Sequence, residues 1–192
     1  MHLKKSVFFI ISFFVLLLVS CQSSTELSKV FSCKNPKKLS QLEVVNDFKN
    51  NFSVKIPKYW NTQLYYNDIQ SEIFSADTIK SLTDTYIMNF SMVNSNLKID
   101  SELKKRVLEK AKNNHFEIVK ELFYKFKEME TFSILSKGKS QGHTLQVLQT
   151  YINVSDEKYL LVKAEFYGEN NFNARLCEAI NLMDDITLIN KN

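Results

Sequence analysis

Glycine and proline are scarce in this chain of 192 residues, which has three of the first and two of the second. Gly138, Gly142 and Gly168 are too few and too scattered to build a phosphate-cradling loop. Histidine is equally thin. Only His115 and His143 lie beyond the N-terminal segment, and neither has a histidine or cysteine at metal-ligand spacing. Surface and helix-end roles are expected of both. Charge of one sign is lacking too: 25 Lys and Arg face 21 Asp and Glu, a net charge of +4. That near balance argues against a nucleic-acid partner. The basic run Lys104-Lys105-Arg106 is interleaved with Glu102 and Glu109, as on a solvated helix face. No nucleophile–base arrangement stands out. A Cys177–histidine pair is the nearest to one, and Cys177 neighbours an apolar helix face. The chain therefore reads as non-enzymatic, with no cofactor and no metal. With 44% hydrophobic and 24% charged residues it is globular, without repeats or low-complexity segments.

A long hydrophobic run is also missing. A membrane-spanning helix needs about 20 apolar residues, and the run over residues 7–19 is too short. What is there is ordered: Lys4 and Lys5 in front, the apolar stretch, then Leu18-Val19-Ser20-Cys21. A basic start, a short apolar run and small residues at the end make a secretory signal.

The four residues Leu18-Val19-Ser20-Cys21 resemble the lipobox of bacterial lipoproteins. The resemblance implies cleavage before Cys21, a diacylglyceryl group on its thiol and, usually, an acylated amine. Two or more acyl chains anchor a protein stably. Residues 1–20 are then the removed signal, and loss of Lys4 and Lys5 lowers the net charge to +2. The membrane is one expected partner. Gln22 rather than an acidic residue follows the cysteine, which favours the outer membrane. With no acidic run behind it, a periplasm-facing protein of the cell envelope is expected. Cys33 and Cys177 remain as an even pair in an oxidising compartment. A disulfide between them would pin the N-terminal segment to the last helix. Neither lies in a dense cysteine framework, so two separate thiols is the favoured reading.

Residues 21–47 are polar and read as the lipidated N-terminus and a flexible tether, with a short helix near residues 39–45. Residues 48–192 read as one α+β domain. "FSVKIP" alternates as a half-buried strand that Pro57 ends. Asn67-Asp68 marks a hairpin turn between strand-like runs. In "TYIMNFSMV", Tyr86, Met88, Phe90 and Met92 share one face. Asp100 or Ser101 caps a helix carrying the stripe Leu103, Val107, Leu108 and Ala111, closed by Asn113-Asn114. "FEIVKELFYKFKEME" favours a second helix, then a strand over residues 131–137, with Gly138 and Gly142 flanking a turn. "HTLQVLQTYINV" and "KYLLVKAEFY" are long strands. In the second, Leu160, Val162, Ala164 and Phe166 point one way. A final amphipathic helix carries Phe172, Leu176, Ile180 and Met183, capped by Asn170 or Asn171. Asp184-Asp185 sits at its C-terminal end, where the dipole disfavours negative charge.

This order of elements, entered through "FSVKIPKYW" and closed by an amphipathic helix, resembles the PsbP-like fold over residues 50–189. The resemblance implies an antiparallel sheet packed against helices as an α/β/α sandwich, and a non-enzymatic accessory or binding module. Tyr59, Trp60, Tyr65 and Tyr66 crowd into eight residues and are the candidate surface for an envelope protein partner. The alternative is a periplasmic carrier or sensor of a small apolar ligand, which requires a void at the Met88/Phe90/Met92 face.

Overall fold

The computed structural model describes residues 25–33 and 39–189. The elements in chain order are α1 (Glu26–Val30), β1 (Leu42–Asn46), β2 (Phe52–Pro57), β3 (Asn61–Tyr66), β4 (Gln70–Ala76) and β5 (Ile87–Asn94). Then follow α2 (Ser101–Asn113), β6 (Glu117–Phe126), β7 (Met129–Ser140), β8 (His143–Ser155), β9 (Lys158–Tyr167), α3 (Phe172–Asp184) and β10 (Thr187–Leu188). It is an α+β fold. Seven strands form an antiparallel sheet in the order β3-β4-β5-β9-β8-β7-β6, and β1-β2-β10 form a second, smaller one.

Alternation in sequence becomes burial. Met88, Phe90 and Met92 on β5 face the same core as Leu160, Val162, Ala164 and Phe166 on β9. Leu176, Ile180 and Met183 of α3 join that core, with Phe52, Val54 and Ile56 of β2. α3 lies against β9 and β2. The opposite faces of β7 and β6 pack separately: Leu103 and Val107 of α2 close over Phe132 and Ile134, with Ile118 at the side. Asp100 caps α2 by accepting from the backbone N–H groups of Glu102 and Leu103.

Four expectations are corrected. The segment 117–126 is a strand, not a helix. Leu122, Tyr124 and Phe126 share the core face at a spacing of two, and that burial outweighs the helix preference of Glu, Lys and Leu. Its turn into β7, Lys127-Glu128, has φ of 47° and 67°, the left-handed pair that matches a hairpin's twist. Gly138 lies inside β7 instead of flanking a turn. A Cβ there would meet the Phe116 ring at 3.0 Å, so any other residue would make that ring shift. The N-cap of α3, Asn171, makes no side-chain cap bond. Finally, the stretch read as a tether folds. Leu27 of α1 is buried in the main core, and β1 pairs with β2 from Leu42↔Pro57 to Asn46↔Ser53.

Candidate functional site

The aromatic run at residues 59–66 enters β3, the outermost strand of the large sheet, and the pleat distributes it. Trp60 is only 7% exposed and meets Tyr86 edge-on at 5.1 Å, so it is a core residue. Tyr59 is exposed in the turn between β2 and β3. Tyr65 and Tyr66, 49% and 58% exposed, lie on opposite faces of the strand because successive side chains alternate. Tyr65 stands across from Glu72 and Tyr66 across from Ser71. The four aromatics thus do not make one surface.

Tyr66 belongs to a different group. Its ring stacks on Phe48 from the β1–β2 loop, with centroids 3.9 Å apart and planes 4° from parallel. Phe48 is 55% exposed, and so is Ile69, at 61%, in the β3–β4 turn. Lys49 Nζ donates to the Asn67 carbonyl at 2.6 Å and ties this loop to that turn. The loop itself is built on Asp47, 1% exposed, whose carboxylate accepts from the backbone N–H groups of Phe52, Asn51 and Lys49. Burial alone would raise the Asp47 carboxyl, but the hydrogen bonds from Phe52 and Asn51 outweigh it and hold it below 3.8.

β3 also ends the sheet. Its sequence Asn-Thr-Gln-Leu-Tyr-Tyr has no charge, proline or glycine. The opposite edge, β6, carries Glu117, Lys120, Glu121 and Lys125 and is interrupted by a bulge between Ile118 and Lys120. Charges and bulges blunt an edge strand against pairing with another chain. β6 has both and β3 has neither.

The two remaining cysteines meet. Cys33, just past α1, is bonded to Cys177 in α3, with Cα atoms 5.3 Å apart and a sequence separation of 144. Cys21 lies outside the described residues. Asp184, at the end of α3, accepts a hydrogen bond from the Thr25 hydroxyl at 3.0 Å. Burial pushes the Asp184 carboxyl up to about 6, against the pull of Thr25 and Lys127.

Nothing in the sequence marks Arg175. Its guanidinium, 4% exposed, donates to the carbonyls of Thr85 at 2.6 Å, Tyr167 at 3.0 Å and Gly168 at 3.0 Å. It lies over the Phe166 ring and clamps the approaches to β5 and α3. An arginine in an amphipathic helix gives no sign in sequence that it will turn inward. His115 closes α2 with φ of 59°, and His143 opens β8; both are exposed. Among the described residues no group of three or more His, Cys, Asp or Glu is placed to hold a metal. The Met88/Phe90/Met92 face that a ligand carrier would need open is filled: these side chains are at most 2% exposed within the main core.

No family model matches the chain, and no curated protein matches it in sequence. Among solved structures it is similar to a Bacteroides thetaiotaomicron protein, with a TM-score of 0.49 and 9% identity over 79% of this chain. The chain spans half the length of that protein. It is similar to LpqN of Mycobacterium tuberculosis, a protein involved in cell envelope biogenesis, with a TM-score of 0.45 and 10% identity. That likeness covers 88% of this chain and 99% of LpqN. A third, PA94 of Pseudomonas aeruginosa, is of unknown function and described as a candidate regulator. It gives a TM-score of 0.42 and 10% identity over 80% of this chain and 99% of its own.

Proposed function

We propose that this chain is a lipid-anchored accessory protein of the bacterial cell envelope, held at the outer membrane through acylated Cys21 and facing the periplasm. It docks on an envelope protein without catalysing a reaction. The observation that carries this reading is the placement of Leu18-Val19-Ser20-Cys21 at the end of a basic, then apolar, signal of secretory length. The Cys33–Cys177 bond suits an oxidising compartment. The element order, with α3 against one face of the sheet and α2 against the other, suits a PsbP-like binding module. The docking element is the uncharged edge of β3. An extended segment of the partner adds to it as a further strand, with main-chain hydrogen bonds supplying affinity and Leu64 and Tyr65 supplying selectivity.

Crosslinking in intact cells, followed by mild-detergent pull-down, tests the docking. One envelope protein should be enriched reproducibly, and Leu64→Lys should abolish its recovery while the protein stays folded and membrane-bound. A partner retained by Leu64→Lys removes β3 as the docking edge. No enriched protein at all removes the accessory reading.

A further inference from the structure

The described residues begin at Thr25, only four residues after Cys21. Whatever its conformation, a segment of four residues spans at most about 14 Å. Thr25 caps α1, and α1 is fixed to the body by the buried Leu27, by the Thr25–Asp184 bond and by the Cys33–Cys177 disulfide. The body therefore cannot swing on a long leash. Accepting that Cys21 is acylated, the end of the molecule that carries Thr25 sits against the bilayer.

Contacts along the chain define what else lies at that end. Asp184, bonded to Thr25, closes α3 just before β10 pairs with the start of β2. The N–H of Ile189 donates to the Asn51 carbonyl at 2.8 Å, and Lys158 Nζ reaches Asn51 Oδ1 at 3.3 Å. Lys158 opens β9 and pairs with Asn94 at the close of β5. The Asn94 side chain donates to the Asp68 carbonyl in the β3–β4 turn. One end of the sheet thus gathers Thr25, the β1–β2 loop and the β3–β4 turn. That end carries the exposed Phe48–Tyr66 stack and the exposed Ile69.

We propose that Phe48, Tyr66 and Ile69 form a second membrane contact, seated in the interfacial layer of the same bilayer that holds the acyl chains of Cys21. Two aromatic rings and an isoleucine are the side chains that favour this layer, where an apolar body meets polar headgroups. The occupant is a lipid surface because the short connection holds this end of the body within about 14 Å of the bilayer. The turns beside the patch carry Asp68, Asp156 and Glu157 as well as Lys49 and Lys158. A mixed rim of that kind asks for apolar insertion and not for adsorption on anionic lipid. The strands then run towards the membrane, and the free edge of β3 opens sideways, where a partner in the same membrane can reach it.

The test uses the full mature protein in vesicles of phosphatidylethanolamine and phosphatidylglycerol with brominated acyl chains, which quench nearby tryptophan. Trp60, the single native tryptophan, is buried and supplies a constant background. Tyr66→Trp and Ile69→Trp each add an indole at the patch, and Tyr59→Trp adds one where β3 begins, at the other end of the sheet. The added emission at positions 66 and 69 should fall at least about two-fold, as for a group buried a few ångströms into the interface, while that at position 59 is unchanged. Two patch positions keep the test informative if one variant does not fold. Protein that carries the acyl mass and floats with the vesicles, yet shows no quenching at 66 or 69, overturns the second contact alone. Equal quenching at 59, 66 and 69 overturns it too, since the body would then have no fixed orientation. Protein without the acyl mass, and not bound to the vesicles, overturns the anchor and the inference with it.

Discussion

Thr25 donates its hydroxyl to Asp184 Oδ2 at 3.0 Å, joining the start of the described chain to the end of its last helix. Burial raises the Asp184 carboxyl from 3.8 to about 6, so the folded state holds this proton more tightly than the unfolded chain. Stability from this group is complete below 3.8 and is lost as pH rises through about 6. The melting temperature should drop by about 2–6 °C between pH 5 and pH 7.5, and Asp184→Asn should remove most of that step. An unchanged step in the variant would assign it to other groups.

Asp47 acts with the opposite sign. Its carboxyl is held below 3.8 by donors in the β1–β2 loop, so its contribution is present above that value and fades as pH falls through the lower folded one. Asp47→Ala leaves the buried N–H of Phe52 and the part-buried N–H of Asn51 without an acceptor and should cost about 2–3 kcal/mol in urea unfolding. A loss under about 0.5 kcal/mol would mean that water replaces the carboxylate.

Closing a loop of 144 residues restrains the unfolded chain strongly. Reduction, or the double replacement of Cys33 and Cys177 by serine, should cost about 2–5 kcal/mol. It should also speed hydrogen exchange in α1 before the large sheet is affected. Equal protection of α1 with and without the bond would show that Leu27 alone holds it.

Phe166 is fully buried, touching Tyr86, Phe172 and Arg175. Phe166→Ala should cost about 3–5 kcal/mol by opening a void beneath α3. A cost below about 1 kcal/mol would show that α3 collapses to fill it.

Cys21→Ala should move the protein from the membrane fraction to the soluble one. Membrane retention with an uncleaved precursor mass would instead identify the segment at residues 7–19 as what holds it. Retention after cleavage of that segment would argue against the acyl anchor.

Much of this fold is legible because one face of each element is buried. On β5 and β9 every second residue is apolar, and on α3 the apolar residues fall at helical spacing; the structure turns those residues into the core. The cap at Asp100 is likewise a local event with a local signature. β6 was hidden because its composition and its period disagree, and the deciding term, packing of Leu122, Tyr124 and Phe126 into the main core, is not local. The turn Lys127-Glu128 has left-handed backbone without glycine or asparagine to announce it. α1 and β1 were hidden for a different reason. What orders them, Cys177 on one side and β2 on the other, lies outside their own sequence. The aromatic run suggested one surface because sequence spacing does not show the pleat. Trp60 turns inward, Tyr65 and Tyr66 part, and the partner of Tyr66, Phe48, lies 18 residues upstream.

The Cys33–Cys177 bond and the β10–β2 pairing share one trait: each joins an early segment to the end of the chain. A polypeptide delivered N-terminus first can complete neither until it is almost whole. Through that interval β2 has β1 on one side and nothing on the other, and α1 has no helix to rest on. The loop must close over most of the chain, the costly kind of ordering that slows folding. Loss of the last helix would therefore undo the beginning of the domain as well as its end. An unpaired thiol at Cys33 is the chemical mark of a chain that has not finished.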